Sequence, residues 1–256
     1  MTVDFAIRRG LGTALTAAGV ATLLLLTGCA STLDPEEARQ SLSDVTEDPA
    51  PPAADEIYDA TLHPDPVVEP QDCAAVLVIT ARGTGEPTKG QLLSPVARAV
   101  TKEWPDDVTS VDLDYPADTD VKEGGTRGVR VLIDTLNVQS EACPDQQTVL
   151  LGYSQGAMVI GDALVQPEDR MIGATVGELT ESARDQVLAV VLYGDPRFEG
   201  DEPFNIGSFD AALNGIMPRP EGSLGEFAER ISDFCVAGDV VCQTTRDVSE
   251  DEHVAY

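Results

Sequence analysis

One stretch of this sequence leaves little freedom in what surrounds it. The short apolar run 148–153 leads straight into Gly152-Tyr153-Ser154-Gln155-Gly156, and residues 156–165 then read as a helix. A serine between two glycines at a strand-to-helix turn implies a backbone so tight that flanking side chains would clash. Such a turn lifts the Ser154 hydroxyl above the C-terminal edge of a sheet. The helix that follows points N–H groups at the same place, which favours a developing negative charge. Ser154 is therefore the candidate nucleophile.

The surrounding pattern agrees. Residues 74–80, 108–115, 148–153, 187–193 and 230–236 form short runs rich in Val, Ile and Leu, as suits strands covered on both faces. Between them, Val129, Leu132, Ile133 and Leu136 fall at i, i+3, i+4 and i+7, one face of a helix. Alternating strand and helix predict an α/β fold. Its expected form is a mostly parallel central sheet of about five strands with helices on both faces and right-handed crossovers.

The first residues read as an address. Arg8 and Arg9 precede an uncharged stretch over 11–27, which ends in Leu26-Thr27-Gly28-Cys29. A basic start, an apolar middle and small residues at the end describe an export signal. The stretch is short for a membrane span, which needs ~20 apolar residues. Its ending resembles the bacterial lipobox, where the cysteine receives a diacylglycerol. Residues 1–28 are therefore expected to be a lipoprotein signal peptide and Cys29 a lipidated N-terminus. Two acyl chains on one residue hold a protein stably on a membrane. Residues 29–71 are acidic and rich in proline, and are expected to be an extended tether. A short helix over 35–42 is compatible with its sequence. The folded domain is expected over 72–256.

Charge and cysteine usage fit an exported protein. The 45 acidic residues outnumber 16 basic ones, for a formal charge of −29. Such a surface repels phosphate backbones, so nucleic acid is excluded as a partner. Of the five cysteines, assigning Cys29 to lipid leaves Cys73, Cys143, Cys235 and Cys242 for two disulfides, with three possible pairings.

A serine hydroxyl needs a base to become a nucleophile, and histidine is the usual one near neutral pH. The chain has two. His63 falls in the expected tether, which leaves His253. The acid should lie between the serine and the histidine in the chain. Asp195 and Asp239 both follow strand ends. Asp239 is preferred, since it leaves a loop long enough to return across the sheet edge and sits between Cys235 and Cys242. Asp195 is expected to shape a turn with Pro196.

Together these residues resemble the cutinase family of serine esterases, in particular its actinobacterial, cell-envelope members. The resemblance covers Cys73 to Tyr256. It is carried by Cys73 and Ala81-Arg82-Gly83-Thr84-Gly85-Glu86-Pro87, by the Ser154 motif, and by Gly194-Asp195-Pro196. The loop between Cys235 and Cys242 and His253-Val254-Ala255-Tyr256 complete it. It implies a three-layer α/β-hydrolase fold, a catalytic triad of Ser154, Asp239 and His253, and the disulfides Cys73–Cys143 and Cys235–Cys242. It also implies an oxyanion hole made by the Gln155 backbone N–H and by Thr84, with Arg82 and Gly83 positioning that loop. Members of the family continue past this point with a helix packed on the sheet, and the expectation here is a domain without it.

The expected activity is carboxylic ester hydrolysis by acyl transfer, with neither metal nor organic cofactor, in a monomer anchored to the outer face of the cell membrane or envelope. Esters of short to medium chain are the expected substrates, whether small molecules, lipids or polyesters. Arg219 and residues 204–217 are candidates for the pocket border. A phospholipase or thioesterase on the same scaffold is an enzymatic alternative. A weakened hydrolase serving as an envelope-binding or structural protein is the alternative from another class, and an intact triad argues against it. Glu250, Asp251 and Glu252 beside His253 are expected to favour its imidazolium form and to move the rate profile to higher pH.

Overall fold

The computed structural model describes residues 52–244, 252–254 and 256. The expected signal peptide, the lipidated Cys29, the helix over 35–42, Glu250 and Asp251 lie outside the described residues. Helix α1 (Pro52–Ile57) is followed by an irregular segment, then by strand β1 (Val76–Ala81), α2 (Ser94–Glu103), β2 (Val108–Asp112) and α3 (Val121–Ala142). Next come β3 (Gln147–Tyr153), α4 (Gln155–Leu164), α5 (Glu181–Gln186), β4 (Val187–Tyr193), β5 (Asn205–Gly207) and β6 (Ile231–Cys235).

The six strands form one sheet in the order β2-β1-β3-β4-β6-β5, and every neighbouring pair is parallel. Five of them coincide with the five apolar runs. The sixth, β5, has only three residues and an exposed edge position, so it carries no apolar signature. Strand β2 ends at Asp112 rather than residue 115, because the carbonyls of Leu113, Tyr115 and Pro116 are taken by the Arg82 guanidinium instead of a neighbouring strand.

Side chains alternate across the sheet, as the pleat requires. On β1, Leu77, Ile79 and Ala81 face the larger core, shared with Leu132 and Ile133 of α3 and Met158 and Ile160 of α4. Val76 and Val78 face the other side, where Ala97 and Val100 of α2 cover them. The chain leaves β1 in one direction to β2 and returns past it to β3. In open parallel sheets, ligand sites form beyond the C-terminal strand ends at such a reversal. Here that place lies between the loop after β1 and the turn after β3.

The later part of the expected tether, residues 52–71, is packed onto the domain. Ala54 is buried and the Ala60 N–H donates to Thr175 O over 2.9 Å. Arg130 of α3, buried and paired with Asp134, donates to the carbonyls of Tyr58, His63 and Asp65. Asp134 accepts from the Val67 N–H and Gln139 from the Gln71 N–H. The segment buries few apolar side chains of its own, as its composition required. What holds it is backbone pairing with polar side chains of α3, which local composition does not register. The disulfide Cys73–Cys143 closes the same seam.

Candidate active site

Ser154 stands between β3 and α4 with φ 53° and ψ −119°, a conformation that L-residues with side chains rarely adopt. The steric reading of the motif is visible on both sides. A Cβ on Gly152 would lie 2.8 Å from Ala157 Cα, and one on Gly156 would lie 2.0 Å from Ala81 O. The Ser154 N–H donates to Tyr193 O over 2.9 Å, which ties the turn to β4. The first N–H groups of a helix have no acceptor within it, and those of α4, starting at Gln155, lie beside Ser154.

The opposite wall comes from the end of the chain. Strand β6 runs into the loop closed by Cys235–Cys242, and Asp239 sits in that loop, fully buried. Its Oδ1 accepts from the Val241 N–H at 2.8 Å and its Oδ2 from the Tyr256 hydroxyl at 2.5 Å. Both oxygens lie 2.9 Å from His253 Nδ1. Burial would raise the carboxyl, but the hydrogen bond and charge of His253, then Tyr256 and Val241, outweigh it. Together they hold Asp239 below the usual carboxylate range. An ionised carboxylate only accepts, so Nδ1 carries the hydrogen and Nε2 is left as an acceptor. Nε2 lies 3.0 Å from Ser154 Oγ. One imidazole thus connects Ser154 to Asp239.

His253 is held by aromatic neighbours. The Tyr153 ring stacks on it at 5.1 Å, and the Tyr153 hydroxyl donates to His253 O over 2.9 Å. Beneath it, a Cβ on Gly194 would lie 2.8 Å from His253 Cε1 and 3.1 Å from Asp239 Oδ2, so only glycine lets the ring sit there. The Tyr256 hydroxyl also accepts from the Val236 N–H at 3.3 Å, which links the last residue to the Asp239 loop. Of the three acids expected around His253, the described one, Glu252, lies over Gly238.

The loop after β1 forms the third side. The Arg82 guanidinium is buried and spent on carbonyls of Leu113, Tyr115, Pro116 and Glu86. A Cβ on Gly83 would meet the Tyr153 ring at 2.8 Å and Ser154 Cβ at 3.3 Å, which brings this loop against Ser154. Thr84 is buried, and its hydroxyl oxygen has no hydrogen-bond partner.

Not every expected residue joins the site. Asp195 is buried, but its Oδ1 accepts from the Arg197 N–H in the turn with Pro196, and its Oδ2 pairs with Arg219. Arg219 packs under Gly161 of α4 and, with Arg197, Phe204 and Asp233, lines a small cavity whose walls include none of Ser154, Asp239 and His253. A second buried pair joins Arg197 to Asp162. Burial, and then the charge of Asp195, push the Asp233 carboxyl well above the usual range. His63 stays on the packed segment over α3, with its carbonyl accepting from Arg130. Sequence reasoning assigned nothing to the Tyr256 hydroxyl, the Tyr153 ring or the Glu86 carboxylate. The first follows His253 by three residues and the second precedes Ser154 directly, so both were within reach of the motifs.

The family model described as Cutinase matches residues 72–256. The chain is similar to Cutinase 11 of Verticillium dahliae, at 29% identity over an alignment of 188 residues that covers 70% of this chain and 63% of that protein. It is similar to an acetylxylan esterase of Hypocrea jecorina, at 32% identity over an alignment of 187 residues that covers 69% of this chain and 61% of the relative. It therefore spans less than two thirds of the length of these two relatives. Among solved structures, the catalytic core domain of acetyl xylan esterase from Trichoderma reesei aligns with a TM-score of 0.62 at 28% identity, covering 72% of this chain and 92% of that one.

Proposed function

The chain belongs to the cutinase family, and on that premise we propose that it is a carboxylic ester hydrolase working through Ser154, His253 and Asp239. The observation that carries this reading is the single imidazole 3.0 Å from Ser154 Oγ and 2.9 Å from the Asp239 carboxylate. His253 Nε2 takes the hydroxyl proton as Ser154 Oγ attacks the ester carbonyl. The tetrahedral oxyanion is held by the Gln155 N–H and by Thr84, whose hydroxyl has no other partner. Collapse expels the alcohol with the proton from His253, and leaves an acyl-serine. Water then repeats the sequence and releases the acid. Asp239 fixes the ring and stabilises the imidazolium throughout. This chemistry needs no cofactor.

The substrates are esters of short to medium acyl chain in an exposed setting, including acylated polymers of the kind named for the cutinase and acetylxylan esterase relatives. The protein is exported and held at the membrane through lipid on Cys29. The support is the sequence itself: a basic start, an apolar middle and Leu-Thr-Gly-Cys.

The test is hydrolysis of 4-nitrophenyl esters, from acetate through palmitate, beside Ser154→Ala and His253→Ala. Turnover that disappears in both variants, with an optimum at short or medium chain, is expected. Wild-type protein that is folded, disulfide-bonded and inactive on the whole series, or turnover that survives Ser154→Ala, overturns the proposal.

A further inference from the structure

The loop that carries Thr84 is pinned at both ends. On the Arg82 side, the guanidinium binds carbonyls of the segment after β2, and the Tyr115 hydroxyl donates back to Arg82 O. On the other side stands the Glu86 carboxylate. Its Oε2 accepts from the Gly83 N–H at 2.7 Å and its Oε1 from the Leu92 N–H at 2.7 Å. Both bonds are short, as expected when the acceptor is ionised. Gly85 is tied as well, with its N–H donating to Ala117 O over 2.5 Å. Arg82, Gly83, Gly85 and Glu86 all spend polar groups within the loop's own frame. The Thr84 hydroxyl does not.

We infer that Glu86 is a positioning residue for the oxyanion hole: its carboxylate clamps the N–H groups on either side of the loop, so that Thr84 faces the nucleophile before substrate arrives. The inference rests on the proposed ester hydrolysis. Simple electrostatics gives the opposite sign. A carboxylate close to a developing oxyanion repels it, so a negative charge here opposes the reaction unless its hydrogen bonds return more through geometry. Neutral glutamine cannot replace it. One of its two head-group atoms is an amide nitrogen, which would face an N–H donor, so one end of the clamp opens. Misplacement of a stabilising group by about 1 Å can cost about 10²-fold in rate.

The sign of one substitution therefore separates the two roles. In Glu86→Gln, kcat on 4-nitrophenyl butyrate is expected to fall about 10- to 100-fold, with KM changed less than about threefold. Affinity for a trifluoromethyl ketone, which presents the oxyanion, should fall in parallel with kcat/KM. Thr84→Val measures the hydroxyl directly, and the double variant should lose much less than the product of the two single losses, because Glu86 acts through Thr84. Circular dichroism and thermal melting of each variant identify those that fold, and Glu86→Asp replaces Glu86→Gln if the latter does not. Faster or unchanged kcat in a folded variant, a loss confined to KM, or full multiplicativity in the double variant overturns the positioning role while leaving the esterase reading intact. Wild type without Ser154-dependent turnover overturns both.

Discussion

Ser154 and His253 meet across 3.0 Å, yet the two sides of that contact are built by different means. The serine side is local. Strand β3, five motif residues and helix α4 form the turn, sterics at Gly152 and Gly156 admit one arrangement, and its outside bracing is backbone alone, from Ala81 of β1 and the Tyr193 carbonyl of β4. The histidine side is assembled from remote pieces. Asp239 comes from a disulfide-closed loop, Tyr256 from the end of the chain, Tyr153 from the serine side itself and Gly194 from the end of β4. Close packing can hold a strained backbone with almost no polar partners. An imidazole in a partly open site is instead held by directional bonds, and each must come from wherever the fold can supply it. The serine side should therefore fail all at once when its sterics are violated, and the histidine side should degrade in steps.

The largest effect is expected at Gly156. Alanine there places a Cβ 2.0 Å from Ala81 O, where neither backbone can move without separating β1 from α4. Gly156→Ala should lose folded protein outright or lower stability by more than about 4 kcal/mol. A variant that melts within a few degrees of wild type and keeps its activity would break the steric half of the comparison.

Asp239→Asn comes next. The amide keeps the shape but cannot enforce the tautomer, so kcat should drop by about 10⁴ while the fold persists. The pH dependence of stability checks the same residue. Its folded-state pKa lies below the unfolded value of about 3.9, so its contribution is present above that pH and lost as pH falls through the folded value. Denaturant titrations should show a gap between wild type and variant at pH 7 that closes on acidification below about pH 4. A gap unchanged over that range would mean that the carboxylate is not held as described.

Tyr256→Phe is the mildest. It removes the 2.5 Å donor from Asp239 Oδ2 and the acceptor facing the Val236 N–H, but leaves both carboxylate oxygens on His253. Stability should fall by about 1.5–3 kcal/mol, as for a hydrogen bond to a charged group. Turnover should fall by less than about tenfold, the ring remaining oriented. A loss as deep as that of Asp239→Asn would show that the histidine side is as indivisible as the serine side.

Much of the architecture was legible because it follows from local pattern. Apolar runs marked five of the six strands, periodicity marked α3, and two glycines around Ser154 implied a turn that tolerates no other residue. Elimination left His253, and chain order with loop length favoured Asp239. Other features depend on partners far away in sequence. Nothing near Asp195 reveals that Arg219, 24 residues on, claims its carboxylate and keeps it from His253. Nothing in residues 52–71 shows that Arg130 and Asp134 of α3 satisfy their backbone and draw an acidic, proline-rich segment onto the domain. Strand β5 is too short to carry a period and exists through its pairing with β6. The sequence by itself determined what sterics and burial periodicity act on within a few residues: five of the strands, the serine turn and the residues proposed for its chemistry. The tertiary structure alone decided which polar group answers which, because a hydrogen bond is satisfied by whatever the fold brings within about 3 Å, however distant along the chain.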